Sequence, residues 1–254
     1  MINFNINKNN TLTELQDIVE QNINQKLHYM SDSFNEQQQL ALQLFKQRIF
    51  LEQTIDETIT FNKNLVFENS NKNLYLATSA ESLIDVFKLR SDVLTQINYQ
   101  SQFPDTIEGL NFDKFDTTSA ILYYKTNETV TGTIRLIFDS QYKLPSDDNF
   151  SFEDLREKHN TIGELSRLMI KNEKKGLNLE FKNLFAGIYH IFNKNKIDIV
   201  LSCIKKEHNK LYSKFGGSEI INSTDQFANL GLPIDIITWD PSQASKFFKK
   251  AFLN

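Results

Sequence analysis

Cysteine occurs once in the chain, at Cys203, so no internal disulfide can form and a zinc site of the multi-cysteine kind is not expected. The histidines, His28, His159, His190 and His208, are far apart and match no ligand motif, so no metal site is expected from them either. An excess of positive charge is also missing. The net charge is −4, which implies no general surface for nucleic acid. No apolar run reaches the roughly 18 residues that a membrane helix needs, and no basic-then-apolar start resembles a secretory signal. A cytoplasmic protein is the default expectation. Tryptophan occurs once, whereas phenylalanine occurs 21 times. Such an aromatic interior lines an apolar tunnel or simply fills a core.

The remaining composition, 40% hydrophobic and 24% charged over 254 residues, fits one large domain or one domain with an extension. The first ten residues are rich in asparagine. Thr11 and Glu14 then fit a capping box, followed by apolar residues at helical spacing from Leu12 to Leu27. Ser33 and Glu36 fit a second box, which opens a helix to about Ile59 with Leu40, Leu44, Phe45, Phe50 and Leu51 on its apolar side. Residues 1–70 are therefore expected to form a helical hairpin extension, which packs on the main domain or serves as a lid or docking surface. Residues 71–254 are expected to be the main domain. The pattern there predicts a strand at 73–78, a helix at 78–99 capped by Thr78 and Glu81, and two strands, 119–125 and 129–138, joined by a short turn. A polar loop at 139–160 holds a helical turn at 152–158. Strand 161–170, a helix at 177–195, a strand at 197–203, a short helix at 205–214 and strands at 218–221 and 234–239 follow. Pro241 starts a final helix. The buried strand 197–203 comes after a crossover helix, which favours parallel pairing with 161–170. The expected fold class is α/β, with a mixed sheet.

Strand 161–170 carries two charges, Glu164 and Arg167. A core strand holds charges only for a reason, because an unpaired buried ion costs several kcal/mol or more. Similar places occur upstream. Arg90 sits on a helix, Arg135 lies within a strand, and Asp113 and Asp116 stand three residues apart between them. These acids and arginines are expected to meet in one cluster that shapes one site.

Four motifs carry a resemblance: Phe87-Lys-Leu-Arg90, Asp113-x-x-Asp116, Gly132-x-x-Arg135-Leu136 and Glu164-x-Ser166-Arg167. In this order they resemble the autoinducer-synthase branch of the GNAT superfamily of N-acyltransferases, over roughly residues 73–240. That branch holds acyl-homoserine lactone synthases and N-acyl amino acid synthases, which use acyl carrier protein thioesters. The lactone synthases carry an aromatic one turn after the helix arginine and a tryptophan about ten residues after it, which helps form the pocket for the adenosyl substrate. Here those places hold Leu94 and Gln100. The departure points away from S-adenosylmethionine and toward the N-acyl amino acid synthases. The resemblance thus implies a GNAT fold with an N-terminal helical extension. It implies no permanently bound cofactor, with an acyl carrier protein thioester or acyl-coenzyme A as co-substrate. The implied partners are the carrier protein and a small amine, with product release at a membrane surface. The alternatives are a lactone synthase using S-adenosylmethionine and an inactive GNAT-fold binding module.

Amide formation requires an amine to lose a proton, and Glu164 is the best-placed carboxylate for that, the alternative being a simple pair with a neighbouring arginine. Strand alternation puts Glu164 and Ser166 on one face and Leu165 and Arg167 on the other, unless a bulge intervenes. By resemblance, the oxyanion donor is a backbone amide in the region of Leu168, Met169 and Ile170. The pantetheine arm lies between strands 161–170 and 197–203, and Tyr212 protonates the departing thiolate. His208, one turn earlier, would share the face of Tyr212. Packing of a helix end is the alternative for Tyr212, and solvation or capping for His208. Lys171, Lys174, Lys175 and Gly176 precede a helix N-terminus, where they meet a phosphate, an acidic carrier or only solvent. Arg90, Asp113, Asp116 and Arg135 hold the charges of an amino acid or only shape the entrance; a structural and electrostatic role is expected, with one arginine near the substrate carboxylate, and Arg167 is placed among the substrate-binding residues.

Overall fold

The computed structural model describes residues 36–171, 178–226 and 231–253, together with Thr11, Glu14 and Asp17. Two compact units divide the chain, Met1–Gln53 and Thr54–Asn254. At Thr11 the expected capping box forms: the Thr11 amide donates to Glu14 Oε2 at 2.8 Å and the Glu14 amide to Thr11 Oγ1 at 3.2 Å. The rest of the expected first helix and the cap at Ser33 lie outside the described residues. Helix α1 spans Glu36–Asn64, past the expected end at Ile59. Its last turn is held by Asn62, whose buried amide donates to Ala77 O at 2.7 Å. Leu40, Leu44 and Phe45 are exposed.

Strand β1 (Leu74–Leu76) is shorter than the sequence pattern predicts. Helix α2 (Ala80–Gln96) is capped by Ser79 and Ser82 rather than by Thr78 and Glu81. Ser79 reaches the amide of Ser82, and Ser82 reaches back to that of Ser79, both at 3.3 Å. Strands β2 (Ser119–Thr126) and β3 (Thr129–Phe138) form a hairpin. Its turn residues, Asn127 and Glu128, both have positive φ, 50° and 62°, the twist that suits a two-residue connection. A short helix α3 (Glu153–Lys158) precedes β4 (Ile162–Ile170). Asn178 caps α4 (Leu179–Lys194), and β5 follows at Ile199–Lys205. The expected helix 205–214 is broken into 3-10 turns around a short α5 (Asn209–Tyr212). Strand β6 (Ser218–Thr224) is longer than expected, and β7 spans Ile234–Trp239. Pro241 opens only a 3-10 turn, and the final helix α6 (Lys246–Phe252) starts at a Ser245 cap.

The seven strands form one sheet in the order β1-β2-β3-β4-β5-β7-β6. Only β4 and β5 pair in parallel, as the crossover helix α4 requires. One face is covered by α4 and α6. Leu122, Leu136, Leu165, Val200 and Trp239 from the sheet pack there on Leu184, Phe185, Ile188, Phe248 and Phe252. The helix approaches so closely that a Cβ on Gly187 would lie 2.7 Å from Leu122 Cδ1, and one on Gly132 would lie 3.2 Å from Glu180 Cβ. Each fully buried Leu or Phe contributes about 1.5–3 kcal/mol by leaving water, so this layer carries much of the stability. Ile137, Ile162, Ile199, Leu201 and Ile236 pack on the other face with Leu144 and Phe152. The buried charges of the candidate site also lie on that face. Among the described residues no helix is long and apolar enough to cross a membrane.

Candidate active site

A 3-10 turn, Lys114–Thr118, aims the two aspartates. Asp113 is its N-cap and accepts from the Phe115 amide at 2.9 Å, while Asp116 accepts from the Asp113 amide at 2.9 Å. The three-residue spacing is therefore a local capping box. The remaining carboxylate lone pairs face arginines. Arg90 Nη1 donates to Asp116 Oδ1 at 2.8 Å, and Arg135 Nη1 donates to Asp113 Oδ1 at 2.6 Å and Asp116 Oδ1 at 3.0 Å. Arg167 Nη2 reaches Asp113 Oδ2 at 3.1 Å, and Arg135 Nε reaches Ser166 Oγ at 2.9 Å. Arg90 and Asp116 are completely buried. Burial alone would push the Asp113 carboxyl up, but Arg135 and Arg167 outweigh it and hold the group well below the ordinary carboxylate range. Burial lowers Arg90 and Arg167. Arg135 is raised, because Asp113 and Asp116 outweigh its own burial.

Three arginines against two aspartates leave one positive charge in excess. Nε and Nη2 of Arg90 and Nε of Arg167 are buried with no hydrogen-bond partner among the described residues. Such a group is costly unless an acceptor arrives. The cluster thus suits one further anion.

The register of β3 against β4 slips by one residue: Thr133 faces Met169, but Arg135 faces Ser166. The extra residue forms a bulge at Arg167, whose φ is +52°. Plain alternation would send Arg167 to the α4 face. The bulge instead turns its guanidinium onto the aspartate face, 4.8 Å from the Phe103 ring centroid. Glu164, Ser166 and Arg167 therefore share one side.

Glu164 is buried yet makes no ion pair among the described residues. Its partner is Ser146, on the 3-10 turn Pro145–Asp148. The Ser146 amide donates to Oε2 at 3.1 Å and the hydroxyl to Oε1 at 2.8 Å. Cys203 Sγ lies 3.0 Å from the same hydroxyl. Burial outweighs these bonds and the attraction of Arg135, so the carboxyl is pushed up to about 7. Burial and the neighbouring Glu164 push the Cys203 thiol up to about 12, which keeps it protonated.

The parallel pairing of β4 and β5 stops at Leu165 and Ser202. Beyond it, Ser166, Met169 and Ile170 pair with β3, Arg167 and Leu168 fall in the bulge, and Cys203 to Lys205 pair with β7. The two strands thus part beyond this point, and Leu168, Met169 and Ile170 lie on β4 past the parting. On the α4 side, a crevice runs between Leu165, Ser202, Phe185, Tyr212, Phe215 and Trp239. Tyr212 packs on Phe185 and Phe215, and burial pushes its hydroxyl up to about 12. His208 is exposed, with Glu207 as its carboxylate neighbour at 3.7 Å. Lys171 lies 3.7 Å from Asp92. Lys174, Lys175 and Gly176 lie outside the described residues.

Of the charged residues expected to meet, Arg90, Asp113, Asp116, Arg135 and Arg167 come together, whereas Glu164 stands apart on Ser146. Sequence reasoning misses Ser146, Cys203 as a neighbour of Glu164, and Arg156, which ties the Ser146 turn to the end of β3. The available signal was charge: a polar loop with Asp139, Asp147 and Arg156 holds more ionic groups than a solvated connection needs.

A family described as N-acyl amino acid synthase FeeM matches residues 85–240. Among solved structures, FeeM, an N-acyl amino acid synthase from uncultured soil microbes, aligns with a TM-score of 0.54 at 13% identity, covering 71% of this chain and 94% of its own. The acyl-homoserine lactone synthase LasI aligns with a TM-score of 0.51 at 14% identity, covering 72% and 95%. BjaI, a coenzyme A-dependent acyl-homoserine lactone synthase, aligns at 0.50 and 17%, covering 67% and 79%. No curated protein matches. At such identities the structures establish the fold, which is the GNAT-like fold of these synthases. The family match spans more than half of the residues and includes all four motifs, and on that ground the chain belongs to the FeeM family of N-acyl amino acid synthases, an N-acyltransferase family.

Proposed function

We propose that this protein joins a long-chain fatty acyl group, carried as an acyl carrier protein or coenzyme A thioester, to the α-amine of an amino acid. The observation that carries the reading is Glu164, a buried carboxyl pushed up to about 7 at the point where β4 and β5 part. A base is most effective when its pKa lies near the working pH, and such proton transfer contributes about 10²- to 10⁴-fold in rate.

The pantetheine arm lies in the opening and pairs with a free strand edge. The amine enters from the aspartate–arginine side, with its carboxylate against Arg167, the arginine of the cluster whose side chain keeps some exposure. Glu164 takes the amine proton, directly or through a water, as nitrogen attacks the thioester carbon. A backbone amide in the Leu168 to Ile170 stretch holds the oxyanion. The tetrahedral intermediate then re-forms its carbonyl and expels the thiolate, which Tyr212 protonates from the opposite face. Asp113 and Asp116 hold Arg90, Arg135 and Arg167 in place. Lys174, Lys175 and Gly176 are assigned to the phosphate of the arm or to the acidic carrier surface, and His208 to the rim of the amine entrance.

Mass spectrometry of lipid extracts from cells overexpressing the chain, beside its Glu164→Gln variant, tests this reading. New N-acyl amino acids that vanish in the variant identify both substrates. Acyl lactones in their place overturn the choice of amine. No new lipid from either protein points to a binding module.

A further inference from the structure

We propose that Arg156 and Ser146 are positioning residues for Glu164, with the 3-10 turn Pro145–Asp148 serving as a device that fixes the catalytic carboxylate. The inference rests on Glu164 being the base. Arg156 grips two carboxylates in bidentate fashion and touches a third, Glu153, at 3.3 Å. Its Nε and Nη2 donate to Asp139 Oδ2 and Oδ1 at 2.7 and 3.1 Å. Its Nη1 and Nη2 donate to Asp147 Oδ1 and Oδ2 at 2.8 and 2.6 Å. Two bidentate contacts from one planar guanidinium fix direction as well as distance.

Each end of this clamp is anchored. Asp139 follows β3, and its amide donates to Ile162 O at 2.9 Å, at the start of β4. Asp147 Oδ2 accepts from the Leu144 amide at 2.8 Å, which closes the turn. Ser146, between them, places its amide and its hydroxyl on the two oxygens of Glu164. The turn is thereby tied to the frame of the same strand that carries the base. Without Arg156, the charge of Asp147 next to Glu164 is left to Lys143 and the Leu144 amide.

The groups that face Glu164 are Ser146 and Asp147 from the turn, Arg135 from β3 and Cys203 from β5. Ser146 and Arg135 favour the ionised carboxylate, whereas Asp147 disfavours it. Loss of the Ser146 hydroxyl, or release of Asp147, moves the titration of Glu164 in the same direction, upward.

The test is the pH dependence of free thiol release from palmitoyl thioesters of acyl carrier protein and coenzyme A, with a mixture of the proteinogenic amino acids, both at low concentration. Ionisation of the amine is common to every variant, so differences in the acid limb report on Glu164. Ser146→Ala is expected to shift the limb up by about one pH unit, the size of one hydrogen bond to a charged group. Arg156→Ala shifts it at least as far, and the double variant no further than Arg156→Ala alone. Arg156→Lys, which keeps the charge but loses the fork, recovers part of the shift. Thermal melting accompanies each variant. A lower melting temperature with an unmoved limb overturns the inference and leaves Arg156 a structural residue. If Glu164→Gln retains wild-type rates, the base assignment itself fails; if Glu164→Gln is inactive and the limbs coincide, only the positioning role fails.

Discussion

The same sheet face holds two kinds of buried carboxylate, and their surroundings drive them apart. Asp113 and Asp116 are ringed by Arg90, Arg135 and Arg167. Asp113 is therefore kept ionised far below the ordinary range, and it is of no use as a base at neutral pH. Glu164 has no arginine in contact, only the amide and hydroxyl of Ser146 and a thiol beyond it. It sits near 7, where it can take a proton and give it up again. The bulge at Arg167 helps create this difference: it draws the third arginine toward Asp113 without bringing it into contact with Glu164. Asp116 is as buried as Glu164, and the Asp113 side chain is 27% exposed, but it is Arg135 and Arg167 that hold Asp113 down against its burial, so the partner decides the role.

The largest effect comes from breaking the aspartate side. Asp116→Asn leaves Arg90 and Arg135 facing each other across a buried space. The loss of stability is expected at about 3–5 kcal/mol, read from urea unfolding. A destabilisation below about 1 kcal/mol would mean that water screens the cluster.

Next comes Glu164→Gln. Turnover should fall by about 10²- to 10⁴-fold. At pH 8 the variant should be more stable than wild type by roughly 1–3 kcal/mol, because it removes a charge that the fold opposes. A base that costs stability and a pairing residue that provides it are separated by the sign of this change.

The pH dependence of stability sharpens the comparison further. For Glu164 the folded value, about 7, lies above the ordinary 4.5. Its stabilising contribution is complete below 4.5 and is lost as pH rises through 7. For Asp113 the folded value lies below the ordinary 3.8, so its contribution is present above 3.8 and is lost as pH falls. Urea midpoints of wild type minus Glu164→Gln should therefore fall between pH 5 and pH 8 by the equivalent of about 2–3 kcal/mol. A flat difference would put Glu164 among the paired carboxylates.

Tyr212 gives the smallest effect, on the apolar side of the opening. Its hydroxyl has no hydrogen bond among the described residues, and its ring packs on Phe185 and Phe215. Tyr212→Phe should change stability by less than about 0.5 kcal/mol, in a thermal melt, while slowing product formation. An unchanged rate would leave Tyr212 a packing residue.

How much of this was legible follows from sequence distance. Asp113 and Asp116 are tied by a local capping box, and the arginines stand inside apolar periodic segments where a charge is conspicuous. Both features can be read without a fold. The parallel pairing of β4 with β5 follows from the crossover helix between them. The side on which Arg167 lies does not, because a bulge depends on the register between two strands. Ser146 is 18 residues from Glu164, inside a connection with no periodicity, and its role arises only when Arg156 folds the loop back. The break of the expected helix at 205–214 and the delayed start of α6 have a similar cause. Gly216 and Gly217, both at positive φ, and the tight approach of Ser245 to Phe215 O, at 2.7 Å, set those ends.

The whole contrast depends on Glu164 titrating near 7. Infrared difference titration of the wild-type protein against Glu164→Gln measures it directly, as the carboxyl band of one residue. An inflection at about 7 is expected. An inflection near the ordinary 4.5 would contradict it and remove Glu164 from the role of base.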